Sequence, residues 1–131
     1  MSDYTENGNY RSDDTPGLSD NMNYPAPDLT YLNAMAEGDE NFIKEIITYF
    51  LENCPGMLVL IRESALSGDF EKLRFTAHQL LPQLTFVGIL AAIPDVTKIE
   101  SEGKHLDDLS GTIERAIKII NWGIEDLKKL I

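Results

Sequence analysis

The chain has 131 residues, enough for one domain with one proper core, and carries 22 Asp and Glu against 11 Lys and Arg, a net charge of −11. That balance argues against nucleic acid and anionic membrane as partners, because both require positive surface. A lone cysteine, Cys54, excludes an intrachain disulfide, and no apolar run has the length of a membrane span or the look of a signal peptide, so a reduced cytoplasmic setting without membrane insertion is expected.

Residues 1–27 are rich in Asn, Ser, Asp, Gly and Pro, with Asp3, Glu6, Asp13, Asp14 and Asp20 set against Arg11. Such a segment buries too little apolar area to offset its ordering entropy, and reads as a disordered or loosely docked acidic tail. Met22, Tyr24 and the Pro25–Pro27 pair are able to lie on the domain as an extended strip. The domain itself is expected over 28–131.

A short helix is predicted from Leu29 to Ala36, ended by Gly38. Asp39 then caps a second helix with a wide apolar stripe of Phe42, Ile43, Ile46, Ile47, Phe50 and Leu51. Pro55 is expected to break this helix and start a third, which carries Leu58, Ile61, Ala65 and Leu66 and stops at Gly68. Asp69 caps the next helix as Asp39 capped the second.

That next helix, up to Gly88, is the centre of the chain. Leu73, Ala77, Leu80, Leu84 and Val87 recur at spacings of three and four and form the buried face. His78 falls roughly 140° from the middle of that face and should point to water. Around it stand Phe75 and Arg74 at i−3 and i−4, and Leu81, Pro82 and Thr85 at i+3, i+4 and i+7. An imidazole on a solvent face, ringed by apolar groups, reads as a docking surface with a reactive group at its centre. Pro82 removes the helical bond back to the carbonyl of His78. A further helix is predicted from Leu90 to about Glu102, with Pro94 tolerated only in its first turn. Residues Ser101 to Lys104 read as a loop. The last helix is predicted from Leu106 to Ile131, with Leu109, Ile113, Ala116, Ile117, Ile120, Ile124, Leu127 and Ile131 inward. No strand pattern competes. The expected fold is all-α: an antiparallel up-down four-helix bundle with a short N-terminal accessory helix.

Several residues have plain structural readings. His105 is a surface residue beside a loop glycine. Glu102-x-x-His105 matches half of a di-iron ligand motif, but the second pair is missing and Gly103 interrupts the first, so no metal is expected. Cys54 reads as a small buried thiol, and Trp122 and Tyr49 as core or edge packing. Leu81 and Phe75 are alternatively core for an accessory helix or the tail.

From Asp28 onward the sequence resembles a histidine phosphotransfer (HPt) domain, the carrier module of multistep two-component phosphorelays. The matching residues are Leu32, Gly38-Asp39-Glu40, Phe42-Ile43, Phe50, Gly68-Asp69 and Ala77-His78-x-Leu80 with Gly88 ten residues on. The resemblance implies a bundle whose one active residue, His78, accepts a phosphoryl group from a receiver-domain aspartyl phosphate and passes it to another receiver. It implies a monomeric carrier, not an enzyme, with receiver domains and a hybrid sensor histidine kinase as partners. No cofactor is expected in the chain itself, since the partner receiver brings magnesium. Arg74, Phe75, Gln79, Leu81, Pro82 and Thr85 would form the docking surface, with Phe86 at its edge.

The sequence departs from the family pattern at two positions. Lys and Gly usually follow the histidine at i+3 and i+4, where this chain has Leu81 and Pro82. Arg74, one turn before His78, is the candidate for the missing positive charge. The chemistry asks little more: a neutral imidazole nitrogen attacks phosphorus, and metaphosphate-like transfer needs positioning and charge neutralisation. The chain has no GxxxxGK[ST] loop, and the sequence shows no carboxylates clustered about His78. The alternatives are a receiver-binding helical module that has lost productive transfer and, more remotely, a helical scaffold unrelated to signalling.

Overall fold

The computed structural model describes residues 24–131. Among these residues there are five α-helices and no strand. The expected acidic tail lies, up to residue 23, outside the described residues. Its last part does lie on the domain: the Tyr24 ring meets Trp122 edge-on with centroids 5.6 Å apart, and the Asp28 N–H donates to the Gly88 carbonyl at 2.9 Å.

Helix α1 is Thr30–Ala36, with the Asp28 carboxylate accepting from the Thr30 N–H at 3.0 Å. Glu37 and Gly38 turn the chain in the left-handed region, at φ 50° and 89°. The Asp39 side chain then accepts from the Phe42 N–H at 3.1 Å and starts α2, Glu40–Ser67.

Here the structure corrects the sequence. Pro55 does not divide two helices; α2 is one helix of 28 residues, roughly 42 Å long. Pro55 is exposed, and the buried stripe of Ile47, Phe50, Cys54, Leu58 and Ile61 runs past it at spacings of three and four. An interior proline costs about 3 kcal/mol. Burying Leu58 and Ile61 on the far side returns about 1.5–3 kcal/mol each, so packing holds the helix together across its weakest point. Leu66, expected on the apolar side, is exposed.

Gly68, at φ 76°, closes α2, and Asp69 caps α3, Phe70–Val87, through the Lys72 N–H. This helix also passes through a proline, Pro82, without interruption. Leu73, Ala77, Leu80, Leu84 and Val87 are all buried, as the spacing predicts, and Thr76 joins them. Gly88 ends α3 at φ 76°, and any Cβ there would overlap the backbone of Asp28. A 3-10 turn over Leu90–Ala92 leads into α4, Ile93–Glu102, with Pro94 in the first turn. The predicted loop after Ser101 is the end of α4 and a second 3-10 turn, Gly103–His105. The last helix, α5, is Leu109–Lys128 and starts three residues later than expected, because Asp108 caps it through the Gly111 N–H at 2.9 Å. Ile131 lies beyond its end and is exposed, not inward.

Helix α2 packs against α3, α3 against α4, α4 against α5, and α5 against α2, which closes a ring around one core. Its fully buried side chains include Phe50, Leu80, Leu84, Ile99, Ile120 and Leu127. Helix α1 lies against α2 and α3. Two bidentate ion pairs tie the outer surfaces: Arg62 of α2 to Glu114 of α5, and Arg115 of α5 to Asp95 of α4.

Candidate functional site

His78 stands on α3 between two buried neighbours, Ala77 and Leu80, and its own side chain is 68% exposed. The helical wheel alone puts it there, since the inward face is filled by aliphatic side chains. The ring is not alone in water. Its Nδ1 lies 3.0 Å from Oε2 of Glu100, a residue of α4 one position after the buried Ile99. This single carboxylate is not the cluster that the sequence was found to lack, and the sequence reading did not foresee it.

The contact has a chemical consequence. A carboxylate only accepts, so the neutral ring that suits this geometry carries its proton on Nδ1 and donates it to Glu100. Nε2 then holds the lone pair. Among the described residues no hydrogen bond engages Nε2. The ring therefore has one nitrogen engaged by Glu100, which sets its tautomer, and one nitrogen with no hydrogen bond among the described residues.

Beside the ring is a shallow groove of about 550 Å³ between α2 and α3. His78, Gln79, Pro82 and Gln83 line one side; Tyr49, Asn53 and Met57 line the other. Gln83 donates weakly to the Met57 sulfur at 3.6 Å and to the Gln79 carbonyl at 3.5 Å, while its buried Oε1 has no partner. Asn53 is held by the Tyr49 carbonyl at 2.8 Å.

Of the residues singled out in the sequence, Gln79 and Pro82 share this groove with His78. Arg74 is exposed and makes no ion pair among the described residues. Phe75 is 58% exposed. Leu81 is half-buried against the core, and Thr85 turns its hydroxyl to the Leu81 carbonyl at 3.2 Å. Phe86 is taken by α1, with Tyr31 edge-on at 5.3 Å. Tyr49, read as core or edge packing, is 59% exposed and lines the groove, while Asn53, Met57 and Glu100 escaped the sequence reading. The first three recur every four residues along α2, beside its buried stripe, which is the one signal that marks them. Glu100 has only its place next to Ile99.

Among the described residues no group of three or more His, Cys, Asp or Glu side chains could hold a metal ion, and no helix is long and apolar enough to cross a membrane. Comparison with known proteins finds no family model, no curated protein and no solved structure that matches the chain.

Proposed function

We propose that this protein is a phosphorelay carrier of the histidine phosphotransfer type, with His78 as its phosphoacceptor. The observation that carries the reading is an imidazole 68% exposed on a helix face, with Nδ1 3.0 Å from Glu100 and, among the described residues, no hydrogen bond at Nε2. The sequence resemblance supplies the class, and the geometry supports it. In this reading α2 to α5 form an up-down four-helix bundle and α1 is its accessory helix. The setting is cytoplasmic, the carrier acts as a monomer, and the partners are receiver domains and a hybrid sensor histidine kinase.

The chemistry follows from the ring. The Nε2 lone pair attacks the phosphorus of a receiver aspartyl phosphate; an Nε2–P bond forms as the acyl O–P bond breaks, and the receiver carboxylate leaves. The proton stays on Nδ1, where Glu100 offsets the positive charge that the ring gains. Transfer to a second receiver is the reverse. Magnesium belongs to the receiver in this scheme, where it neutralises the transferring oxygens. The chain is thus a substrate and carrier rather than a kinase. Arg74 is exposed, makes no ion pair among the described residues and stands one turn before His78, which suits it to the role that the family's lysine plays at the position of Leu81. The groove along Tyr49, Gln79 and Pro82, together with the exposed Phe75, is the receiver-docking surface.

A second reading is favoured by Leu81 and Pro82 themselves: a receiver-binding module without productive transfer. One experiment separates the two. A phosphorylated receiver, mixed with the chain and magnesium, leaves acid-labile, base-stable phosphate on the carrier, and His78→Gln abolishes it. Receiver binding without that phosphate assigns the second reading.

A further inference from the structure

The groove beside His78 has an uneven hydrogen-bond inventory. Gln83 of α3 lines it opposite Met57 of α2. Its amide spends its N–H donors on two poor contacts, the Met57 sulfur at 3.6 Å and the Gln79 carbonyl at 3.5 Å. A thioether is a weak acceptor, and the second distance is at the outer limit of a hydrogen bond. The Gln83 Oε1 is buried and has no donor among the described residues. An acceptor removed from water without a partner costs the full desolvation of that oxygen. A methionine of similar length would meet Met57 at no such cost, so the amide weakens the free fold rather than holding it.

The neighbours of Gln83 show the same bias. Pro82 has no N–H, so α3 offers no i+4 donor to the carbonyl of His78. Asn53 gives an N–H to the Tyr49 carbonyl at 2.8 Å, which leaves its side-chain oxygen as an acceptor. No Lys or Arg lines the groove, and the chain as a whole carries a net charge of −11. A groove that commits the amide donors of Asn53 and Gln83 and leaves their oxygens is complemented by a partner that brings N–H groups, best of all charged ones.

We propose that Gln83 is the partner-selecting residue of the receiver-docking groove, its Oε1 accepting a hydrogen bond from a lysine or arginine side chain of the docked receiver. The inference rests on the phosphorelay reading for the identity of the partner. In the free chain Oε1 is shut off from water, but the terminal torsion of a glutamine is broad and roughly two-fold. Turning the amide over breaks only its two weak bonds. The turned oxygen would face the Gln79 carbonyl, so the exchange becomes favourable only when a donor arrives between them. A receiver that covers the groove without such a donor seals an unpaired oxygen into the interface, and this penalty is what discriminates between receivers.

The test measures dissociation constants of the full chain for a panel of isolated receiver domains, each with magnesium, and phosphotransfer rates alongside. For the tightest-binding receiver, Gln83→Met is expected to raise Kd about tenfold, the loss of one charge-assisted hydrogen bond. The transfer rate at saturating receiver is expected to stay unchanged, and the unfolding midpoint to equal or exceed that of wild type. Gln83→Glu keeps an acceptor and is expected to retain most of the affinity. An unchanged Kd in Gln83→Met overturns the proposal, as does a fall in its unfolding midpoint, which would make the amide a structural group. A wild-type chain that binds no receiver removes the phosphorelay reading and this contact together. Binding without transfer contradicts phosphotransfer alone, and the Kd of Gln83→Met against wild type still decides the contact.

Discussion

Glu100 Oε2 lies 3.0 Å from Nδ1 of His78, although the two residues are 22 apart in sequence and belong to different helices. The pair converts an ordinary surface histidine into a ring with one committed nitrogen and one available nitrogen. Glu100→Ala releases Nδ1, so the ring samples both tautomers and loses the charge that offsets phosphorylation. Transfer to His78 is expected to slow about tenfold, equivalent to roughly 1.4 kcal/mol. Glu100→Gln keeps an acceptor for the Nδ1 proton and is expected to fall between the two. Nitrogen chemical shifts of the ring check the cause: wild type shows the Nδ1–H form, and Glu100→Ala a mixture.

Arg74 carries the second prediction. Its guanidinium has no ion-pair partner among the described residues and stands one turn before the acceptor. Arg74→Ala is expected to lower the transfer rate or shorten the phosphohistidine lifetime several-fold, and Arg74→Lys to retain most of both. Equal rates and equal lifetimes in Arg74→Ala and wild type would remove Arg74 from the mechanism.

Pro55 is an exposed proline inside a continuous helix whose packing overrides it. Pro55→Ala restores the N–H that bonds to the Leu51 carbonyl and removes the ring clash. Part of that gain is offset because alanine frees the unfolded chain. Denaturant unfolding is expected to show a stabilisation of about 1–2 kcal/mol. No gain would mean that the helix has already absorbed the proline at no cost.

Two glycines make an internal control. Gly88 has φ 76°, and a Cβ there overlaps Asp28, whereas Gly56 sits within α2 with nothing within 4 Å of its would-be Cβ. Gly88→Ala is expected to cost at least about 2 kcal/mol, from the left-handed backbone and the collision together. Gly56→Ala is expected to add about 0.5–1 kcal/mol. Unfolding midpoints measured side by side check both signs.

The buried stripe of α3 and the outward position of His78 were legible in the sequence, because both depend only on helical period and the contrast between Leu73 or Leu80 and their polar neighbours. The caps at Asp39 and Asp69 were legible for the same local reason. Pro55 misled, because a local rule was applied where burial of Leu58 and Ile61 decides. The start of α5 was missed because hydrophobic Leu106 outweighed the cap at Asp108. Glu100 was out of reach in principle: its meeting with His78 depends on how α4 is rotated against α3, and no spacing along the chain encodes that rotation. The groove residues Tyr49, Asn53 and Met57 belong to the same class, since they matter only once α2 is set beside α3.

The account rests on His78 as a phosphoacceptor through Nε2, and one measurement addresses it directly. A receiver domain phosphorylated on its aspartate is mixed with the full chain and magnesium, and the carrier is analysed by phosphorus NMR and mass spectrometry. The predicted result is a single acid-labile, base-stable phosphate on Nε2 of His78, lost in His78→Gln and returned to receiver when unphosphorylated receiver is added. Absence of label from every receiver tried, or label that persists in His78→Gln, would contradict the account.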